Sequence, residues 1–163
     1  MVIHDMPSEH YRSREGRPAK YIIVHSLAAW PGATPTTVAG YLQRNGRGVS
    51  VHEYAAPDWH VYEMVPDRLG SNNCWSRSVR FPDGEHYDLA NLITWGIEIH
   101  QIADEDCPRD ATLLAALRVV LACERLGIPP KRVLGHGEID PSRKSDPVGV
   151  NMDWFRATVK GLL

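Results

Sequence analysis

The alternation of apolar and polar positions predicts most of the regular elements of this chain. Residues 20–25 (KYIIVH) and 94–100 (TWGIEIH) are β-branched runs of strand length. Residues 108–126 carry apolar side chains at helical spacing, and Gly127 supplies a stop. The other predicted elements are a helix that begins at Thr34-Pro35 and ends at Asn45-Gly46, a hairpin of strands 49–55 and 60–65, a short strand at 132–134 and a terminal helix at 152–159.

Strands that alternate with helices, together with one hairpin, predict a single α/β domain with a mixed central β-sheet flanked by helices. Residues 1–19 are polar, and we expect them to form an N-terminal arm over a domain that spans residues 20–163. Residues 66–91 are predicted to form a long loop. Loops of this length inside a compact domain are usually functional or mobile.

Composition and charge exclude several classes of partner. The 163 residues are 43% hydrophobic, and 18 Lys and Arg nearly balance 20 Asp and Glu, with neither sign in a block. Such a chain lacks the basic footprint that nucleic acids or anionic membranes require. The most apolar segment, residues 113–123, is too short for a bilayer and contains Arg118, so we expect no membrane insertion. Because the first 20 residues have no apolar run, we expect the protein to be cytoplasmic as synthesised. We also expect it to be a monomer.

Three side chains that are distant in sequence are candidate metal ligands. His25 ends an apolar strand, His136 follows a short one, and Asp146 comes ten residues later, next to Pro147. Three protein ligands leave the fourth tetrahedral position of Zn²⁺ for water, which is typical of a catalytic site. Bound zinc lowers the pKa of that water to about 7. The alternative for each histidine is a packing role at the end of a strand.

Two further residues are candidates for catalysis. Lys144 lies two positions before Asp146, where its ammonium could stabilise an oxyanion, although a solvent-facing lysine is the simpler interpretation. Glu98 lies on the opposite face of its strand from Ile97 and Ile99. A buried carboxylate needs a partner or a task, so Glu98 is either a proton carrier or half of a salt bridge.

Other reactive side chains carry weaker indications. Glu138 and Asp140 are expected to be loop or cap residues, and Arg143 an ion-pair partner. His52 and His60 are expected to pack within the hairpin. Trp75 could stack on a sugar or pack against the protein, and Ser26 lacks the G-x-S-x-G context of a serine nucleophile. The three cysteines, Cys74, Cys107 and Cys123, are odd in number and have no C-x-x-C spacing, so we expect them to be free and mostly buried.

The order of these motifs resembles the type 2 N-acetylmuramoyl-L-alanine amidases. The matching pieces, between residues 21 and 155, are YIIVHS, SVHEYA with VYEMVPD, TWGIEIH, and GHGEIDPSRKSDP with a following DW. This family contains phage endolysins, bacterial amidases that recycle or remodel peptidoglycan, and animal peptidoglycan recognition proteins. The resemblance implies a zinc amidase acting on peptidoglycan or muropeptides, with His25, His136 and Asp146 as ligands and with Glu98 and Lys144 as catalytic residues.

The sequence departs from the family pattern at three places. Some members have a tyrosine near the zinc where this chain has Val51, the usual D-P-G is D-P-V-G with Gly149 displaced, and the tryptophan-histidine pair of the middle loop is Trp75-Ser76. The leading hypothesis is a single-domain phage endolysin. The alternatives are a cytoplasmic muropeptide-recycling amidase, a non-catalytic peptidoglycan-binding module, which would be expected to lack a ligand, and a zinc hydrolase of an unrelated amide.

Overall fold

A computed structural model describes residues 1–74, 78–103 and 105–163 of the chain. Its strands are β1 (Val2–Asp5), β2 (Tyr11–Ser13), β3 (Tyr21–Ala29), β4 (Glu53–Ala56), β5 (His60–Glu63), β6 (Leu69–Ser71), β7 (Val79–Arg80), β8 (His86–Tyr87), β9 (Thr94–Ile102) and β10 (Val133–Gly135). Its α-helices are α1 (Pro35–Arg44), α2 (Arg109–Leu126), α3 (His136–Ile139) and α4 (Met152–Leu162). Single 3-10 turns cover Pro57–Trp59, Ala90–Leu92 and Pro130–Arg132.

A six-stranded mixed sheet in the order β1-β5-β4-β9-β3-β10 forms the centre of the molecule. Strands β4, β9, β3 and β10 run parallel to one another, whereas β5 pairs antiparallel with β4 as a hairpin. The predicted single-domain α/β fold with a mixed central sheet and flanking helices is therefore confirmed. The parallel strands all end at the same edge, and open α/β sheets commonly place their ligands at that edge.

The two faces of the sheet carry different layers. Trp95, Ile97 and Ile99 of β9 belong to an apolar cluster that also contains buried side chains of α2 and α4. The opposite face is covered by α1 and by the connection between β5 and β9, in two further clusters. Glu98 and His100 lie on this second face, as the alternation along residues 94–100 predicted.

The first 19 residues contain two strands that the sequence pattern did not predict. Strand β1 extends the sheet by pairing parallel with β5, and β2 pairs antiparallel with β6. The Met6 N–H then donates to the Glu63 carbonyl. Most side chains of β1 and β2 are exposed, so these strands are held mainly by backbone pairing and leave no apolar alternation in the sequence.

Buried charges anchor the same segment and α2 to the sheet. Arg14 is buried, and its guanidinium donates to the backbone carbonyls of Asp67, Leu92 and Thr94 at 2.8–2.9 Å. Arg118 of α2 makes two 2.6 Å hydrogen bonds to the buried Glu53 carboxylate of β4. These contacts satisfy polar groups that would be costly to bury alone.

Two structural findings bear on the remaining expectations. The three cysteines are free, and Cys74 and Cys123 are buried, as predicted. Among the described residues, no helix combines the length and apolarity that a membrane crossing requires.

Candidate active site

The candidate ligands meet beside strands β3 and β10. His136 directly follows β10, whereas His25 lies in the middle of β3 and not, as the sequence had predicted, at its end, because β3 continues to Ala29. His25 of β3 is in register with Glu98 of β9. Gly135 of β10 is in register with Val24, so the next residue, His136, lies beside His25. Side chains at matching positions of parallel strands point to the same face, so the sheet itself brings both imidazoles and the carboxylate of Glu98 to one cleft.

One nitrogen of each imidazole and one oxygen of Asp146 form a tight triangle. The two Nδ1 atoms of His25 and His136 lie 3.0 Å apart, and each lies 3.2 Å from Asp146 Oδ2. Ligands at about 2.0–2.1 Å from a tetrahedral zinc lie about 3.3–3.4 Å from one another. The donor types and their separations therefore fit a small divalent cation such as zinc, and the three residues form a possible metal site.

The loop that carries Asp146 is fixed by backbone contacts. The Gly137 N–H donates to the Asp146 carbonyl at 2.8 Å, and a Cβ on Gly137 would lie 3.1 Å from the Lys144 carbonyl oxygen. On the other side of Asp146, the Val148 N–H donates to the Ser26 hydroxyl at 3.1 Å. Ser26 thus has a structural contact that the sequence did not indicate.

The electrostatics of the cluster favour the protonation states that bind metals. Burial lowers the pKa of His25 to about 4, against the opposing effect of its hydrogen bond with Asp146. Burial alone would raise the pKa of Asp146, but hydrogen bonds from His136 and His25 hold that pKa far below its usual value. At neutral pH, His25 is therefore a neutral imidazole and Asp146 an ionised carboxylate, the forms that coordinate a cation.

Glu98 is a buried carboxyl group beside this cluster. Its side chain is 6% exposed, and its pKa is raised by burial and by the charge of Asp146, with Lys144 lowering it in part. Within the described residues, Glu98 has no hydrogen bond or ion pair. The structure therefore does not contain the salt bridge that was the alternative role for Glu98.

A cleft of about 450 Å³ contains all five of the predicted residues. Lys144 lies on its wall, on the same loop as Asp146. Other side chains of the wall come from β3, α1 and the segments that follow α1 and β6. The lining residues are His25, Ser26, Leu27, Tyr41, Leu42, Arg47, Val49, Asn73, Glu98, His136, Arg143, Lys144 and Asp146.

Several weaker candidates have structural contacts. Glu138 accepts from the Gly135 N–H at 2.8 Å, so it caps α3. His52 is buried and bonded through both ring nitrogens, and His60 pairs with His4. Arg143 pairs with Asp140, and Trp75 lies outside the described residues.

Asn73 is a cleft residue that the sequence pattern did not indicate. It is 3% exposed and its Oδ1 accepts from the Thr94 hydroxyl at 3.1 Å. It belongs to a polar stretch, SNNC, within the predicted long loop, and nothing in that stretch distinguishes it from its neighbour Asn72.

Comparisons with known proteins identify the family of the chain. The sequence profile of the N-acetylmuramoyl-L-alanine amidases matches residues 15–149. Among curated proteins, none matches the chain in sequence.

Solved structures share the fold at low sequence identity. A selenomethionine derivative of AmpD is 20% identical, with a TM-score of 0.79 over 96% of this chain and 93% of that one. A mutant endolysin from Bacillus subtilis is 22% identical, with a TM-score of 0.74 over 98% and 99% of the two chains. The Staphylococcus aureus hydrolase AmiA, solved with its ligand, is 16% identical, with a TM-score of 0.71 over 98% and 82%.

The profile match covers most of the chain, and all five candidate residues lie within it, with His136, Lys144 and Asp146 near its far end. All five lie in the one cleft described above. The chain belongs to the N-acetylmuramoyl-L-alanine amidase family.

Proposed function

We propose that this protein is a zinc-dependent peptidoglycan hydrolase that cleaves the amide bond between N-acetylmuramic acid and the L-alanine of the stem peptide. His25, His136 and Asp146 would hold the zinc ion. The observation that carries the proposal is the convergence of their three donor atoms at separations of 3.0–3.2 Å. A non-catalytic binding module is disfavoured because every predicted ligand is present.

In this proposal, Glu98 and Lys144 divide the remaining chemistry. Zinc bound by the three ligands supplies Lewis acidity, which polarises the scissile carbonyl and acidifies water. Glu98 takes the proton from the attacking water and delivers it to the nitrogen of the departing L-alanine. The ammonium of Lys144, on the same wall of the cleft, stabilises the negative charge that develops on the carbonyl oxygen.

We further propose that the protein acts as a monomeric phage endolysin. This role is supported by the structural similarity to the Bacillus subtilis endolysin, which aligns over nearly the whole of both chains. In the alternative role, the protein would act in the cytoplasm on soluble muropeptides during recycling.

The scissile bond is tested by mass spectrometry of purified sacculi after digestion. We expect stem peptides that begin with a free L-alanine amine, together with glycan that retains its lactyl carboxylate. Products cut within the glycan or between stem residues would contradict the proposed reaction. The Asp146→Ala protein serves as the inactive control.

The biological role is tested by comparing two substrates at equal enzyme concentration. An endolysin clears a suspension of intact sacculi, seen as loss of turbidity, at least as efficiently as it hydrolyses soluble anhydro-muropeptides. Rapid turnover of the soluble compounds without loss of turbidity would favour the recycling role.

A further inference from the structure

Apart from the two candidate histidine ligands, two polar groups in the cleft lack hydrogen-bond partners within the described residues. One is the Glu98 carboxyl group. The other is the Nδ2 of Asn73, a side chain that is 3% exposed and lines the same cleft. An amide N–H can only donate and an ionised carboxylate can only accept, so the two groups are chemically complementary.

Leaving the Asn73 amide unpaired is expensive, because its Nδ2 is shielded from solvent. A buried polar group without a partner costs about 1–3 kcal/mol, and more if it is charged. Most buried polar atoms in folded proteins are paired for this reason, and exceptions often mark functional sites. Asn73 and Glu98 are therefore unlike His52 and Asn45, which are buried as deeply but are bonded through both polar atoms of their side chains.

The backbone around Asn73 holds its amide in a defined place. The Asn72 N–H donates to the Ser50 hydroxyl at 2.9 Å, and the Cys74 N–H donates to Asn91 Oδ1 at 2.6 Å. The hydroxyl of Thr94 fixes the orientation of the Asn73 amide by donating to its Oδ1 at 3.1 Å. The remaining donor, Nδ2, is thus preorganised rather than free to search for partners.

The amide lies over β9, next to Glu98. A Cβ on Gly96 would lie 2.0 Å from Asn73 Nδ2, so this glycine makes room for the amide. Gly96 precedes Glu98 by two residues, which places both on the same face and about 6.6 Å apart along the strand. The side chain of Glu98 is long enough to cover most of that distance by rotation about its own bonds.

We propose that Asn73 is a positioning residue for Glu98: its Nδ2 donates a hydrogen bond to the ionised carboxylate and holds it at the point where water is deprotonated. The inference rests on the proposed function, since Glu98 is the proton carrier in that reaction. It also explains why Gly96 lies in the strand, because any larger residue there would displace the amide.

The test compares two variants of matched shape on a soluble muropeptide substrate. Asn73→Leu removes both polar atoms, and Asn73→Asp keeps an acceptor but loses the donor. We expect kcat to fall about tenfold or more in both, as for loss of a hydrogen bond to a charged group, with KM within about twofold of wild type. A rise in KM at unchanged kcat would mean that Asn73 binds substrate, and normal kinetics in Asn73→Asp would exclude a donor role.

A double variant isolates the coupling to Glu98. In the Glu98→Gln background, Asn73→Leu should slow turnover no further, because the carboxylate that it positions is already gone. Equal losses in both backgrounds would overturn the inference. The Asn45→Leu variant is the stability control: it breaks three side-chain hydrogen bonds and should lower the melting temperature more than Asn73→Leu, which breaks only the bond from Thr94.

Failure of the proposed function is distinguishable from failure of this inference. If the wild-type protein cuts neither sacculi nor muropeptides, the proposed function is wrong. If it cuts them and Asn73→Leu behaves as wild type, only the positioning role is wrong. A crystal structure of the zinc-loaded protein with Asn73 Nδ2 more than 4 Å from both Glu98 oxygens at neutral pH would also contradict that role, whatever the substrate.

Discussion

Glu98 and Lys144 lie beside the candidate metal ligands without contributing a donor atom to the triangle. We therefore expect Glu98→Gln and Lys144→Met to retain about one zinc ion per chain while kcat falls by a factor on the order of 10² or more. Zinc content and steady-state kinetics measure the two effects separately. Lys131→Met, a change within a 3-10 turn outside the cleft, is the matched control and should leave kcat unchanged. Near-normal turnover by Glu98→Gln would refute its assigned role.

A different buried residue, His52, makes stability depend on pH. Burial, reinforced by the positive charge of Arg14, lowers the pKa of His52 to about 3 in the folded protein. The unfolded chain, with a histidine pKa of about 6.5, binds more protons between these values. The contribution of His52 to stability is therefore complete above about pH 6.5 and is lost as the pH falls toward 3.

The expected size of this effect follows from the shift. Between pH 7 and pH 4.5, His52 should account for roughly 3 kcal/mol of the loss in unfolding free energy. His52→Asn retains an acceptor for the Gly96 N–H, which now donates to Nδ1 at 3.0 Å, but does not titrate. Its stability, measured by urea denaturation with a chelator present, should start lower at pH 7 and decline less on acidification. Parallel decline in the two proteins would show that other groups control acid unfolding.

The residues that the sequence identified share one property: each ends or interrupts an apolar run or lies in a motif of unusual composition. His25 and His136 directly follow apolar runs, and Glu98 interrupts one. Arg14 and Asn73 could not be found in this way, because their partners are backbone carbonyls and a strand face far away in sequence. Long-range contacts of a polar side chain leave no local pattern.

At the scale of elements, the turn into α3 and the ligand loop depend on each other. Gly137 lies in the first turn of α3, with its N–H bonded to the Asp146 carbonyl. A methyl group there would meet the Lys144 carbonyl at 3.1 Å and Ser145 Cα at 3.3 Å, so the loop would have to move by a few tenths of an ångström. Substitutions at residues that hold metal ligands in place typically lower metal affinity about 10- to 100-fold, so a small displacement of Asp146 should weaken binding.

Gly137→Ala should therefore weaken zinc affinity by about tenfold. Gly46→Ala is a suitable control, because no atom lies within 4 Å of the added methyl group. Competition with a chromophoric chelator measures both affinities. Equal affinities for the two variants would mean that the loop relaxes around the methyl group without moving Asp146.

The helices and strands that could be predicted from the sequence are those that bury one face against the core. Strands β3 and β9 and helices α1, α2 and α4 were predicted close to their observed bounds because apolar periodicity marks them. Strand β4 was predicted too long, since residues 49–52 continue the apolar pattern but lie outside the ladder. The short strands β6, β7 and β8 within the predicted loop pair mainly through backbone groups, which composition does not reveal.

At the scale of the whole molecule, the candidate catalytic residues are gathered in one cleft on one face of the central sheet. Two segments more than 100 residues apart supply the donor atoms: His25 lies on β3, and His136 and Asp146 follow β10, which pairs parallel with β3. In the proposed function, folding thus assembles the metal site before any metal binds. The site should then bind zinc in the folded chain far more tightly than in the unfolded chain, which links metal binding to global stability.

Removal of zinc should consequently lower the melting temperature of the whole domain. At a zinc concentration about 100 times the dissociation constant, binding adds about 2.7 kcal/mol, which corresponds to roughly 5–10 °C for a domain of this size. Calorimetry with and without a chelator measures the shift, and re-addition of zinc should restore the original melting temperature.

His25→Ala, His136→Ala and Asp146→Ala should each abolish this response to zinc and hydrolytic activity together, whereas His86→Ala, at an exposed histidine outside the cleft, should preserve both. A zinc-induced shift that persists in all three ligand variants would show that the stabilising ion binds at a different site.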